Sequence, residues 1–228
     1  MLAPPPPATL VAERVAALRA MIAAERGAAD AVRIVAVTKT FDASTWSAAA
    51  AAGCDAVGEN YAQELLGKAA EFPEGAPLPV HFIGHLQSNK VRVLAPIVSL
   101  WHTVDRRSVI DALAKERTGS GVAMCVLVQV NATDEGQKSG CAPNAVRGLV
   151  DEARSRGLDV RGLMTMGPSS VEPVATRNAF RLVAGLARDL GLAEVSMGMT
   201  HDARIAVEEG STMLRIGSGI FGERPRSV

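Results

Sequence analysis

Lys39 follows the apolar run Ile34-Val35-Ala36-Val37 after a single residue, Thr38, and a lysine so placed has two uses. If the run is a strand ending at the mouth of a closed sheet, desolvation there frees the amine for Schiff-base chemistry. The alternative is a strand-end lysine that lays its stem on the sheet and leaves its charge in water. Asn60 closes the next β-like segment, where it either meets a ligand or caps the following helix. Ser196-Met197-Gly198 and Gly217-Ser218-Gly219 follow the last two such segments. Small residues there expose backbone N–H groups and suit a phosphate, although ordinary tight turns use them too. Arg215 lies between them in Met213-Leu214-Arg215-Ile216. Pointing inward, its guanidinium needs an acceptor such as a cofactor nitrogen, because an unpaired buried charge is costly.

Other chemistries find less support. His81, His85, His102 and His201 show no HxH pair, and a metal site is not expected. Neither a GxSxG elbow nor a P-loop occurs. Cys54, Cys125 and Cys141 include no CxxC pair and read as reduced packing thiols of a cytoplasmic protein. Met164, Met166, Met197 and Met199 are read as packing. Lys90 and Arg92 are read as a solvated helix face.

These residues must be positioned by alternating elements. Strands are expected over 32–37, 54–57, 80–83, 97–103, 122–130, 160–164, 195–197 and 213–216. Helices are expected over 44–52, 61–72, 88–94, 106–117, 145–156, 174–190 and 203–208, with an extra one over 8–26 at the front. Alternation of this kind implies parallel strands with right-handed crossovers. Eight of them suggest an α/β fold closed as a (β/α)8 TIM barrel, in which function gathers at the C-terminal strand ends. An open doubly wound sheet is the runner-up, but the first strand-to-helix turn lacks GxGxxG. The polar strand ends Thr38, Gly58-Glu59, Gly84-His85, His102-Thr103, Asn131 and Thr165 then read as the rim of one pocket.

At 228 residues, one domain over 9–228 is expected, behind a disordered proline-rich lead-in over 1–8. Lysine plus arginine and aspartate plus glutamate number 24 each. That balance argues against nucleic acid or an acidic membrane as the main partner. No run approaches the roughly 18 apolar residues of a membrane span, and the N-terminus lacks the pattern of a signal peptide.

Taken together, several segments resemble the pyridoxal 5′-phosphate (PLP) homeostasis proteins, the YggS/PROSC family, whose barrel matches the N-terminal domain of alanine racemase. They are Val35-Ala-Val-Thr-Lys39, Gly58-Glu-Asn-Tyr-Ala-Gln-Glu64, His81-Phe-Ile-Gly84 with Leu86-Gln-Ser-Asn-Lys90, and Lys138-Ser-Gly140. The others are Arg161-Gly-Leu-Met164, Ser196-Met-Gly-Met199, and Arg215-Ile-Gly217 with Ile220-Phe-Gly222. The resemblance implies a barrel like that of fold-type III PLP enzymes, with PLP held covalently as an aldimine on Lys39. Arg215 would face the pyridine nitrogen, Ser196, Gly217 and Ser218 would hold the phosphate, and Asn60 would lie beside the cofactor. Departures are His85 for a proline, Thr200-His201 for serine and an acidic residue, and Ser218 for threonine. The His85 change bears on the local loop, and Ser218 keeps the hydroxyl.

Arginine at the pyridine nitrogen weakens the ring as an electron sink, and racemisation also needs an acid on the opposite face. In alanine racemase a tyrosine from an appended domain supplies it. Here the chain ends at Val228 soon after the last strand, and Tyr61 is the only tyrosine. The favoured expectation is a cytoplasmic, monomeric PLP carrier without turnover, its partners being apo PLP-dependent enzymes. The alternatives are a small amino-acid racemase and a Schiff-base aldolase acting through Lys39.

Overall fold

The computed structural model describes residues 2–121, 123–133, 135–170 and 172–223. Among them, eight parallel strands close a barrel in sequence order, the first pairing with both the second and the last. The strands are β1 (Arg33–Val37), β2 (Ala56–Glu59), β3 (Val80–Phe82), β4 (Val98–Val104), β5 (Cys125–Val130), β6 (Asp159–Thr165), β7 (Glu194–Ser196) and β8 (Met213–Ile216). Helix α1 (Ala8–Arg26) precedes them. Between and after them come α2 (Ser44–Ala51), α3 (Ala62–Ala70), α4 (Val91–Leu94), α5 (Arg107–Ser120), α6 (Val146–Ser155), α7 (Pro173–Asp189), α8 (Ala203–Glu208) and α9 (Ser218–Phe221).

Side chains alternate across each strand, so burial on both faces yields two apolar layers. Val35, Ala56, Leu100, Cys125, Leu127, Met164 and Met213 form one cluster. Ile34, Ala36, Val57, Val126, Val128 and Leu214 join a separate cluster with the helices. Both faces being buried, the strands read as largely hydrophobic runs. In α1, Val11, Val15 and Ile22 are the buried positions, and Gly27 ends the helix at φ 80°, a left-handed turn open to glycine.

The structure departs from the sequence reading at four places. The second strand begins at Ala56 rather than 54 because Cys54 lies in the turn that closes α2, its N–H donating to Ala49 O at 3.1 Å. That shift carries Gly58 and Glu59 into the sheet. The segment 88–94 is a 3-10 turn (Ser88–Lys90) followed by the single turn of α4. The lead-in was expected to be disordered over 1–8, yet Ala3 is tied down. Its N–H donates to Thr40 O at 3.1 Å and its carbonyl accepts from Asp42 N at 2.7 Å. A β-bridge between Ala3 and Phe41 results. The strand expected over 122–130 is seen from Cys125 onward, and Val122 lies outside the described residues.

Candidate functional site

A cavity of about 250 Å³ opens at the C-terminal ends of the strands. It is lined by Val37, Lys39, Asn60, Ile83, Met164, Met166, Met199, Thr200, His201, Arg215, Gly217 and Ser218. Such a volume lies just below the usual roughly 300–1,000 Å³ of ligand pockets and suits a compact ligand. Five of the six residues expected to form the site meet here: Lys39, Asn60, Arg215, Gly217 and Ser218. The sixth, Ser196, does not line the cavity.

Lys39 is set between Thr38, which is fully buried, and Thr40, whose φ is 71°. Left-handed backbone at a β-branched residue is strained, at about 1–3 kcal/mol. Thr38 extends the ladder between the first two strands, its N–H donating to Gly58 O at 3.1 Å. Asn60 follows β2 directly. Its Oδ1 is buried and has no hydrogen-bond partner, leaving an acceptor available in a cavity that also holds a lysine and an arginine. Gly84 packs on the backbone of Asn60 so tightly that a Cβ there would lie 1.9 Å from Asn60 O. No other residue fits.

Arg215 shares the inner face of β8 with Met213. Its Nη1 donates to Ser196 Oγ at 2.7 Å and its Nη2 to Thr165 O at 2.8 Å. Burial pulls its pKa down to about 10, with Asp202 opposing the shift, so the guanidinium stays charged at neutral pH. Ser196 is fully buried. Its hydroxyl serves Arg215 from below, inside the barrel rather than at the cavity lining. Residues of β7 alternate sides, and Ser196 falls on the barrel interior beneath the rim.

The chain of contacts continues downward. Ser196 Oγ lies 3.1 Å from His102 Nδ1, and His102 Nε2 lies 3.1 Å from His81 Nδ1. A guanidinium only donates, which leaves the Ser196 hydrogen free for His102 Nδ1 in the tautomer that has its proton on Nε2. His102 then carries its proton on Nε2 and donates to His81. Both rings must be neutral for this arrangement. Burial, with the nearby cations, holds His102 well below the ordinary histidine value and His81 down to about 3.

Thr200 was not expected among the site residues, yet it lines the cavity. Its Oγ1 lies 3.1 Å from Ser218 Oγ and accepts from Gly219 N at 3.0 Å. A hydroxyl four residues past the end of a strand gives no signal by itself; only its pairing with Ser218 across two loops marks it. Several supposed rim residues are structural instead. Thr103 Oγ1 donates to Gly84 O at 2.6 Å and Thr165 Oγ1 to Val130 O at 2.9 Å. Thr38 and Glu59 face the helices: Glu59 Oε1 accepts from Thr38 Oγ1, Trp46 Nε1 and Lys68 Nζ at 2.6, 3.0 and 2.6 Å. Asn131 donates to Glu135 O at 3.0 Å. Lys138 donates to Glu135 Oε1 and Gly167 O at 2.7 and 2.6 Å.

A larger hollow of about 520 Å³ adjoins the first and shares Asn60. It is lined by Tyr61, His85 and Lys90 among others, and holds neither Lys39 nor Arg215. The concentrated chemistry is in the smaller one. The loop bearing His85 is held by carbonyls, Gly84 O by Thr103 and Leu86 O by Arg106 Nη2 at 2.6 Å, so the exposed side chain at 85 does not define it. Cys54, Cys125 and Cys141 are free thiols. Burial pushes Cys54 up to about 12 and Cys141 up to about 11, as packing residues would show. No group of three or more metal-ligating side chains occurs among the described residues.

Comparison with known proteins agrees with this fold. The family described as alanine racemase, N-terminal domain, matches residues 14–225. A pyridoxal phosphate homeostasis protein of Pseudomonas aeruginosa is 40% identical over 221 residues, covering 94% of this chain and 96% of its own. PipY of Synechococcus elongatus, solved without PLP, superimposes with a TM-score of 0.84 at 31% identity, over 93% of this chain and 100% of that one. The PLP-bound form of PipY gives a TM-score of 0.80 at 30% identity over the same shares.

Proposed function

The chain belongs to the alanine racemase N-terminal domain family and, within it, to the pyridoxal phosphate homeostasis proteins, and from that premise we propose that it binds PLP and serves PLP homeostasis. The observation that carries the reading is the convergence of Lys39, Asn60, Thr200, Arg215, Gly217 and Ser218 on one small cavity. The residues fit the cofactor. An amine, a buried guanidinium, a hydroxyl pair beside a backbone N–H and an unpartnered acceptor on Asn60 match an aldehyde, a ring nitrogen, a phosphate and a ring hydroxyl.

When bound, PLP supplies an aldehyde that condenses with amines and a ring that withdraws electrons. In this reading Lys39 provides the amine of the covalent link. Arg215 faces the pyridine nitrogen with a permanent positive charge, which disfavours protonation of that nitrogen. Thr200 and Ser218, with the backbone beside Gly217, hold the phosphate. Ser196, His102 and His81 keep Arg215 aimed. Val37, Ile83 and the methionines exclude water from the ring.

The same reading makes the protein a carrier that hands PLP to apo-enzymes, monomeric and cytoplasmic, where three unpaired thiols are at home. Among the described residues no helix is long and apolar enough to cross a membrane. Borohydride reduction of the PLP-loaded protein followed by peptide mapping tests the assignment. The expected adduct is on Lys39. An adduct on Lys68, Lys90, Lys115 or Lys138 overturns it, as does failure to reactivate any of a panel of apo PLP enzymes for the carrier role.

A further inference from the structure

Lys39 is flanked by two peptide groups, and one helix holds both. Lys68 Nζ donates to the carbonyl of Thr38 at 2.6 Å, and Glu64 Oε2 accepts from the N–H of Thr40 at 2.8 Å. Glu64 and Lys68 are four residues apart on α3, hence on the same face. The carbonyl belongs to the peptide before Lys39 Cα and the N–H to the peptide after it. Fixing both planes fixes φ and ψ at residue 39, and with them the direction of its Cα–Cβ bond. Each grip is charge-assisted, cation to carbonyl and carboxylate to N–H.

The grip is anchored. Lys68 is buried against Glu59 Oε1 at 2.6 Å, with the two side chains 1% and 0% exposed. Glu59 also takes the Thr38 hydroxyl and the Trp46 indole, and it immediately precedes Asn60. On the far side, the bond from Glu64 holds Thr40 in its left-handed conformation, φ 71°, which a threonine would otherwise leave.

We propose that Glu64 and Lys68 are positioning residues that aim the Lys39 amine into the cavity, so that α3 sets the efficiency of covalent capture of PLP. The proposal rests on the PLP-binding reading above. In the step concerned, Lys39 Nζ attacks the aldehyde carbon, a C=N bond forms, and the aldehyde oxygen leaves as one water with two protons from the amine. Misalignment of a reacting amine slows such a step without altering how tightly the rest of the ligand is held.

The test pairs two ligands. PLP can condense with Lys39, whereas pyridoxine 5′-phosphate, an alcohol in place of the aldehyde, cannot. Capture of PLP is followed by borohydride quenching and mass spectrometry of the Lys39 peptide, and pyridoxine 5′-phosphate binding by calorimetry. Glu64→Leu should slow capture about tenfold or more, with affinity for the alcohol within about twofold of wild type. Glu64→Gln, whose amide oxygen still accepts from Thr40, should restore capture. Lys68→Met combined with Glu59→Gln removes both buried charges together, avoiding an uncompensated one, and should slow capture likewise. Wild-type capture rates in Glu64→Leu overturn the proposal. So does parallel loss of both ligands, which would mark Glu64 as merely structural. If the wild type itself yields no Lys39 adduct, the underlying reading falls, and that arm is read before any variant.

Discussion

Arg215 already has two acceptors within the barrel, Ser196 Oγ and Thr165 O, and the sequence alone could not show this. An inward arginine was expected to need an acceptor, and a cofactor nitrogen was the evident one. The second acceptor, Thr165 O, is a backbone atom of a strand fifty residues away, invisible to any local pattern. The assignment to the ring nitrogen still has a clear consequence. Arg215→Gln removes a charge-assisted hydrogen bond, about 1.5–3 kcal/mol, so PLP retention should fall roughly ten- to a hundredfold and the absorbance of the bound cofactor should shift. Unchanged affinity and spectrum would remove Arg215 from the site. Beneath it, the two histidines make stability depend on pH. Their native pKa values lie below the unfolded value of about 6.5, His81 at about 3. Between those limits the unfolded chain binds more protons than the native one. Stability is therefore complete above about pH 6.5 and falls as the pH drops, by up to about 1.4 kcal/mol per unit for each histidine. Urea unfolding at pH 7, 6 and 5 should show this decline, and a His81→Gln, His102→Gln double variant should flatten it. Equal slopes in the two proteins would show that the pair does not titrate on unfolding.

At the scale of elements, the alternation of apolar runs and amphipathic segments was readable because both faces of each strand are buried. Boundaries were less so where a turn borrows strand-like residues. Cys54 and Asp55 look β-like but lie in the loop that closes α2. The short α9 passed unseen, since four residues carry no periodicity. The site itself was legible where a residue sits at a strand end, as Lys39, Asn60 and Arg215 do, or in the glycine-rich loop at Gly217 and Ser218. It was illegible where contacts cross elements: the Glu59–Lys68 pair, the Thr200–Ser218 pair and the His81–His102 contact all join segments that sequence spacing does not link. The loop after β3 offers a direct test of positioning between elements. Gly84→Ala puts a methyl group 1.9 Å from Asn60 O, so the two loops must part. Overpacking of this kind costs about 1–3 kcal/mol, and the displaced Asn60 should weaken PLP binding as well. A variant that unfolds at the wild-type midpoint and binds PLP normally would show that the contact relaxes freely.

For the whole molecule, the question is whether a barrel with this mouth turns substrate over or only holds its cofactor. The titratable side chains lining the cavity among the described residues are Lys39, His201 and Arg215. With its pKa at about 10, Arg215 is a poor base at neutral pH. His201 adjoins Thr200, whose hydroxyl pairs with Ser218, so in the proposed reading it stands at the phosphate end. Tyr61 lines the neighbouring hollow instead. Lys39 is thus the one base placed for proton abstraction, whereas inversion at the α-carbon requires a proton donor on each face. In the proposed reading, arginine at the ring nitrogen would further weaken the electron withdrawal that acidifies the α-hydrogen. PLP-loaded protein should therefore leave L-alanine unchanged in deuterated water. The α-proton signal followed by NMR should persist, and no D-alanine should be detected on a chiral column. Exchange or inversion at about 1 s⁻¹ or faster, the lower end of ordinary turnover, and absent from Lys39→Ala, would make this protein an enzyme. Lys39→Ala is a fair control because it removes a strand-end side chain at the cavity rather than core volume, so the variant should keep its fold while losing the covalent link proposed for PLP.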